Sequence, residues 1–356
     1  MNPTFFRRKW LAVFLALGLL TSCGKGCGKG GPGGGAKTDA LDLIPAGNNF
    51  LVSLNFKKLR NAPFFSDAIK DAPAEAKELS QNVDEALVGL TVRGPGQPPG
   101  GIMVVSGNLD EKKVVALLED AAKKQGGEVK KETIDGHTVY LSPKDPNIGL
   151  TFLSPNQAVW GQIANLKESM ALAAKKGESV RSNKELMELF NKRDANKMLW
   201  GAGIVPSTGA PVNAQPGDPM ASLQGIKAFS LGIDYDKELS IDLTANSQDA
   251  AQAQNLVNLI NSYKTIFGAS LAAQEPMWGQ VIQGAQIGNQ DKSVTISLKL
   301  SEALVKQLSQ KVQEKKNEKA PDGMPGMPDS GMPPPPPAPP SPTSAPSAPP
   351  APPPAN

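Results

Sequence analysis

Histidine is almost missing from this chain, with His137 alone among 356 residues. A zinc site of the usual Cys/His kinds needs several such ligands, and two cysteines beside one histidine do not supply them. His137 directly follows the turn Asp135-Gly136, a hairpin tip where it reads as a solvated strand residue and not as part of a triad. The G-x-S-x-G, phosphate-loop, H-E-x-x-H and EF-hand patterns are all absent. With two cysteines, Cys23 and Cys27, no disulfide framework supports the fold, and the hydrophobic core must do so alone. Long apolar runs are lacking too. Trp10–Leu20 is 11 residues, against the ~20 that a bilayer-spanning helix needs. Aromatic residues are 5% of the chain, so a carbohydrate platform would rest on Trp160, Trp200 and Trp278, and strand tryptophans more often serve cores. No catalytic residue, metal ligand or cofactor is expected.

What is present is concentrated at the N-terminus. Arg7, Arg8 and Lys9 form a positive region, Trp10–Leu20 an apolar one, and Leu20-Thr21-Ser22-Cys23 closes it with small residues before a cysteine. The order is that of a secretory signal. It resembles the lipobox of bacterial lipoproteins. That resemblance covers residues 1–23 and implies cleavage between Ser22 and Cys23, with acylation of the Cys23 sulfur and of the new amino terminus. Each buried methylene contributes about 0.8 kcal/mol, and more than one chain anchors stably. The membrane is therefore one expected partner, reached through acylated Cys23. Gly24 stands where an aspartate favours inner-membrane retention in Gram-negative lipoproteins, so the resemblance implies the outer membrane for such a source. Cleavage would also destroy the one S-x-x-K arrangement, Ser22 to Lys25, and an acylated Cys23 cannot pair with Cys27.

Charge follows from the same cut. The whole chain has 37 Lys+Arg and 34 Asp+Glu, and residues 1–22 hold three basic residues and no acid, leaving 34 of each. A neutral chain lacks the basic field of a nucleic-acid binder. An envelope protein or polymer is the better partner class, and the sequence sets no oligomeric state.

Both ends beyond the signal are of low complexity. Residues 23–39 are the lipidated cysteine and a Gly/Lys tether with almost nothing to bury; about 15 such residues reach roughly 20 Å. From 319 to 356 the chain is rich in Met, Pro and Ala, and Pro333–Pro354 favours extended polyproline II, spanning about 70 Å at ~3.1 Å per residue. Met324, Met327 and Met332 each sit in a Gly-Met-Pro triplet. Without neighbouring histidines they read as repeat drift, not as copper ligands. The expected tail is a disordered spacer, with docking into an aromatic groove of a partner as the alternative.

Between the ends, residues 40–205 and 226–318 read as two α+β halves around a Pro/Gly-rich boundary, 206–225. The expected class is α+β, with antiparallel sheets and amphipathic helices packed on one face. Strands are expected at Leu51–Asn55, Val83–Val92, Gly101–Ser106 and Met198–Val205. Asp135-Gly136 between Val129–Ile134 and His137–Leu141 is a type I′ hairpin signal. A second hairpin, Ile148–Leu153 and Gln157–Gly161 around Ser154-Pro155-Asn156, completes a four-strand meander. A strand–turn–cap–helix unit recurs at Asn108, Asn165, Ser247 and Ser301, and Ser182 with Glu185 opens a further helix. In the helix after Ser247, Leu256, Ile260, Tyr263 and Phe267 share one face. Ile226–Asp234 with Glu238–Ala245 forms a hairpin, and Val294–Leu300 a strand of alternating apolar residues.

The acid pairs Asp234/Asp236 and Asp110/Glu111 fall at a turn and in a helix's first turn, where acids complement the macrodipole. The leading expectation is a membrane-anchored envelope lipoprotein acting as a binding or structural module. The alternative is a lipid-anchored envelope hydrolase using paired carboxylates.

Overall fold

The computed structural model describes residues 38–70, 72–92, 100–124, 126–192, 194, 196–206 and 225–317. The signal segment, Cys23, Cys27, the tether up to 37, most of the 206–225 boundary and the tail with its three Gly-Met-Pro triplets lie outside the described residues. The chain divides at Lys311, with one compact unit up to it and a second from Val312 onwards.

Twelve strands form one sheet, and all its pairings are antiparallel. In chain order they are β1 (Phe50–Asn55), β2 (Val83–Thr91), β3 (Gly100–Gly107), β4 (Lys130–Ile134), β5 (His137–Leu141), β6 (Ile148–Ser154), β7 (Gln157–Gln162), β8 (Leu199–Ile204), β9 (Ile226–Tyr235), β10 (Glu238–Ser247), β11 (Gln286–Gln290) and β12 (Ser293–Ser301). Their order across the sheet is β11-β12-β10-β9-β8-β1-β2-β3-β7-β6-β5-β4. The expected meander is the run β4 to β7. Its first turn places Asp135 at φ 48° and Gly136 at φ 80°, the positive values that a type I′ turn requires. The two halves are joined within this one sheet, since β8 pairs with β1 on one side and β9 on the other.

Nine helices are described: α1 (Phe56–Leu59), α2 (Pro63–Ile69), α3 (Ala74–Ser80), α4 (Glu111–Lys123), α5 (Ile163–Ala173), α6 (Lys184–Phe190), α7 (Ala250–Gln274), α8 (Pro276–Gly284) and α9 (Glu302–Asn317). Side chains alternate across a strand, so each strand of the N-terminal half supplies both faces. Leu51, Leu87, Ile102, Val104, Val139 and Val159 pack under α5 and α6, where Leu166, Leu186 and Phe190 are fully buried. Val88, Met103, Tyr140 and Leu150 pack under α1, α3 and α4 with Phe56, Leu79 and Leu117. Burying each such side chain contributes about 1.5–3 kcal/mol. The α+β class is as expected, and α7 and α8 cover one face of the C-terminal half. The N-terminal half carries helices on its second face as well.

Several helix starts differ from the expected caps. Helix α4 is capped by Asp110, which accepts from Lys113 N–H at 3.2 Å, and not by Asn108. Asn165 lies inside α5 and donates instead to the Gly101 carbonyl at 3.2 Å. Asn183 caps α6 in place of Ser182, and Asp249 caps α7 in place of Ser247. Before α4 and α7 the segment offers more than one capping residue, and the one used, Asp110 or Asp249, is the one with an extended backbone at the first turn. Ser301 does meet α9, accepting from Leu304 N–H at 3.4 Å.

Candidate functional site

The C-terminal half has the clearest division between its two surfaces. On one face, the β10/β12 pairs are Leu239 with Leu300, Ile241 with Leu298, Leu243 with Ile296 and Ala245 with Val294. Helix α7 seals the far end of this face through Ala253, Leu256 and Val257. On the other face the pairs are Glu238 with Ser301, Ser240 with Lys299, Asp242 with Ser297, Thr244 with Thr295, and Asn246 with Ser293. All ten of those side chains are polar, and all are half-exposed or exposed. Strand β9 adds Ser230 and Asp234 to the same face. Residue type alternates as it does in a sheet with one apolar and one polar side, and on the apolar side Val294 and Leu300 are buried while the rest are half-buried.

Charges on this face are paired. Lys197, just before β8, lies across Gly232 of β9 and donates to Asp242 Oδ2 at 2.6 Å. A methyl group on Gly232 would stand 2.9 Å from the Lys197 chain and 3.2 Å from the Trp200 ring, so the glycine makes the path. Ser297 Oγ donates to Asp242 Oδ1 at 3.0 Å. The Lys197 hydrogen bond, together with Ser297, holds the Asp242 carboxyl below the usual carboxylate range, although partial burial pushes the other way. Lys299 pairs with Glu238 at 2.9 Å. Lys58 of α1 donates to both Asp234 oxygens at 3.1 and 3.0 Å, and Met198 N–H adds a third bond at 3.2 Å.

This chemistry is that of a surface. A serine hydroxyl aimed at an acid-shifted carboxylate gains no general base, because a lowered pKa makes the carboxylate a poorer proton acceptor. The ions are held by neighbours of opposite sign, and the hydroxyls and amides between them offer further donors and acceptors.

The residues singled out in sequence are dispersed. Asp234 is held by Lys58, while Asp236 is exposed in the β9–β10 turn. Asp110 caps α4. Glu111 accepts the Tyr140 hydroxyl at 2.7 Å, and burial followed by this bond raises Tyr140 to about 12. His137 sits half-exposed at the start of β5 opposite Ile134. Trp160 packs with the Met103 and Leu150 cluster, Trp200 with the Leu51 and Phe190 cluster. The two therefore lie on opposite faces of the sheet and form no joint platform, and Trp278 is on α8. Beside Trp160, a dimple lined by Val88, Leu90, Met103 and Ile148 encloses about 10 Å³, far below the ~300–1,000 Å³ of a small-molecule pocket. No group of three or more His, Cys, Asp or Glu placed to hold a metal occurs among the described residues.

No family model and no curated protein matches the chain. Solved structures of one protein do resemble it. Crystal form III of TP0453 aligns with a TM-score of 0.46 and 12% identity, covering 78% of this chain and 100% of that one. Crystal form I of TP0453 gives 0.44 and 12%, covering 77% and 98%. A likeness at that level carries no functional inference. What sequence reasoning missed was the polar face itself. Its alternation was visible in β12, but the pairing that unites β10 with β12 spans α7, α8 and β11.

Proposed function

We propose that this chain is a lipid-anchored lipoprotein of the cell envelope, held through acylated Cys23, in the outer membrane where the source is Gram-negative. Its α+β body acts as a binding or structural module. The reading is carried by the fully polar, ion-paired face of β10 and β12, which suits contact with an envelope protein or polymer. The lipobox residues Leu20–Cys23 support the anchor.

Two measurements test the parts separately. Metabolic labelling with a palmitate analogue should mark the wild-type chain and be lost in Cys23→Ala; persistent labelling of the variant removes the anchor. Affinity capture from cross-linked envelopes should recover the same partner with the full chain and with a truncation after Glu318, and lose it when Thr244 and Thr295 are both replaced by Glu. A purified body that turns over an envelope polymer while capturing nothing would replace the module with a hydrolase.

A further inference from the structure

The sheet has two margins, and they are guarded differently. At one end, β4 exposes Lys130, Lys131, Glu132 and Thr133. Charged side chains of this kind oppose the approach of another strand. At the other end, β11 reads Gln286-Ile287-Gly288-Asn289-Gln290, with no charge and no proline, and it runs in unbroken register with β12. Four of its five residues are exposed. Among the described residues β12 is the one strand beside β11; an antiparallel strand uses alternate backbone groups for such a neighbour and turns the others outward, so β11 presents N–H and C=O groups to a further strand. The strand is also held firmly as a template. Ile287 packs against the α7 core, and Asn289 Nδ2 donates to Gln254 Oε1 of that helix at 2.9 Å.

We propose that β11 pairs with β11 of a second copy of this chain, antiparallel about a two-fold axis through Gly288, so that two sheets join into one. The five residues are self-complementary in that register. Gln286 stands opposite Gln290 of the second copy, amide against amide, and Ile287 stands opposite Asn289. Gly288 meets its own equivalent, leaving no side chain at the axis. A two-fold interface needs a patch that fits itself in this way. No like charges meet across the pair, whereas the same operation on β4 would set Glu132 against its own equivalent. The proline-rich tail is a poor rival occupant, because proline has no N–H to give to a sheet edge. A five-residue ladder buries less than the ~1,200 Å² of standard interfaces, so the association is weak and reversible.

The test uses the full chain with Cys23→Ala and Cys27→Ala, which leaves an introduced thiol as the sole one and takes acylation out of the question. A short bis-maleimide is added to Gly288→Cys, and separately to Glu132→Cys on β4. A dimer-sized product from Gly288→Cys at least tenfold stronger than from Glu132→Cys is expected. In sedimentation, Gly288→Lys should shift the wild-type monomer–dimer balance several-fold towards monomer, since two ammonium groups then face each other across the axis. Its added Cβ meets Thr295 Oγ1 at 3.3 Å, a side-chain atom that must give by a few tenths of an ångström, and unchanged circular dichroism is the check that the strand is kept. Equal products at both margins, a wild-type chain that stays monomeric, or a Gly288→Lys chain that dimerises like wild type each overturn the pairing.

Discussion

Replacing Gly161 with alanine tests a close approach between two neighbouring strands of the sheet. A methyl group at Gly161 would stand 2.6 Å from the Gly101 carbonyl oxygen and 3.0 Å from Ile102 Cα. Both atoms belong to the main chain of β3, so no rotamer change relieves the contact. The β3 and β7 backbones must separate where Ile102 pairs with Gly161, in the middle of a sheet with helices on both sides. Overpacking of this kind costs about 1–3 kcal/mol. At roughly 2–4 °C per kcal/mol for a domain of 150–250 residues, a cost of about 2 kcal/mol lowers Tm by about 4–8 °C. Gly47→Ala is the matched control, because nothing lies within 4 Å of its added methyl. There the restriction of the unfolded chain should stabilise by about 0.4–1 kcal/mol. The two substitutions, chemically identical, should move the melt in opposite directions when followed by circular dichroism. A Gly161→Ala chain melting within a degree of wild type would refute the close approach.

Lys197→Met should cost less than about 1 kcal/mol at neutral pH, since Asp242 is 45% exposed and such pairs are screened. The Asp242 pKa is lowered in the fold, so its contribution is present above the ordinary carboxylate value and disappears as pH falls through the folded one. Urea midpoints of variant and wild type should therefore differ at pH 7 and converge in acid; a constant gap would argue against the ion pair. For Tyr140, an alkaline ultraviolet titration should find one phenol ionising near 12. Glu111→Gln should lower that value without returning it to ~10, because burial remains the larger cause, and an unchanged titration would mean the Tyr140–Glu111 bond does not form.

Local chemistry was legible in the sequence, and long-range placement was not. Asp135-Gly136 announced its hairpin because a type I′ turn needs residues that accept positive φ. The class and the four-strand meander followed from period-two alternation and turn residues. Helix caps were displaced by one or two positions wherever several capping residues adjoin, since spacing alone does not say which residue keeps an extended backbone. Strand β11 and helix α8 passed unnoticed. Gln286-Ile287-Gly288-Asn289-Gln290 has one large apolar residue, and its strand character comes from β12 beside it. Tyr263 was expected to share a face of α7 with Leu256; Leu256 is buried while Tyr263 is 41% exposed, and Ile266 is 65% exposed. Helical spacing tells which residues share a face, not whether another element lies opposite. Phe267 lies outside the described side chains. The paired ions of the candidate site were illegible for the same reason: Lys197 and Asp242 are 45 residues apart and meet only because Gly232 leaves a path between them.

The first strand among the described residues occupies an inner position of the sheet, not its margin. Phe50–Asn55 is laced to β2 through six residue pairs and to β8 through five. Just before it, Leu43 and Ile44 are fully buried, and Pro45 bridges to Ser179. Tension transmitted along the backbone from the N-terminal side therefore cannot peel away an outer strand. It must first extract two buried anchors and then shear two ladders together, so a body pulled by its leading end would resist as a unit until the whole sheet gives way.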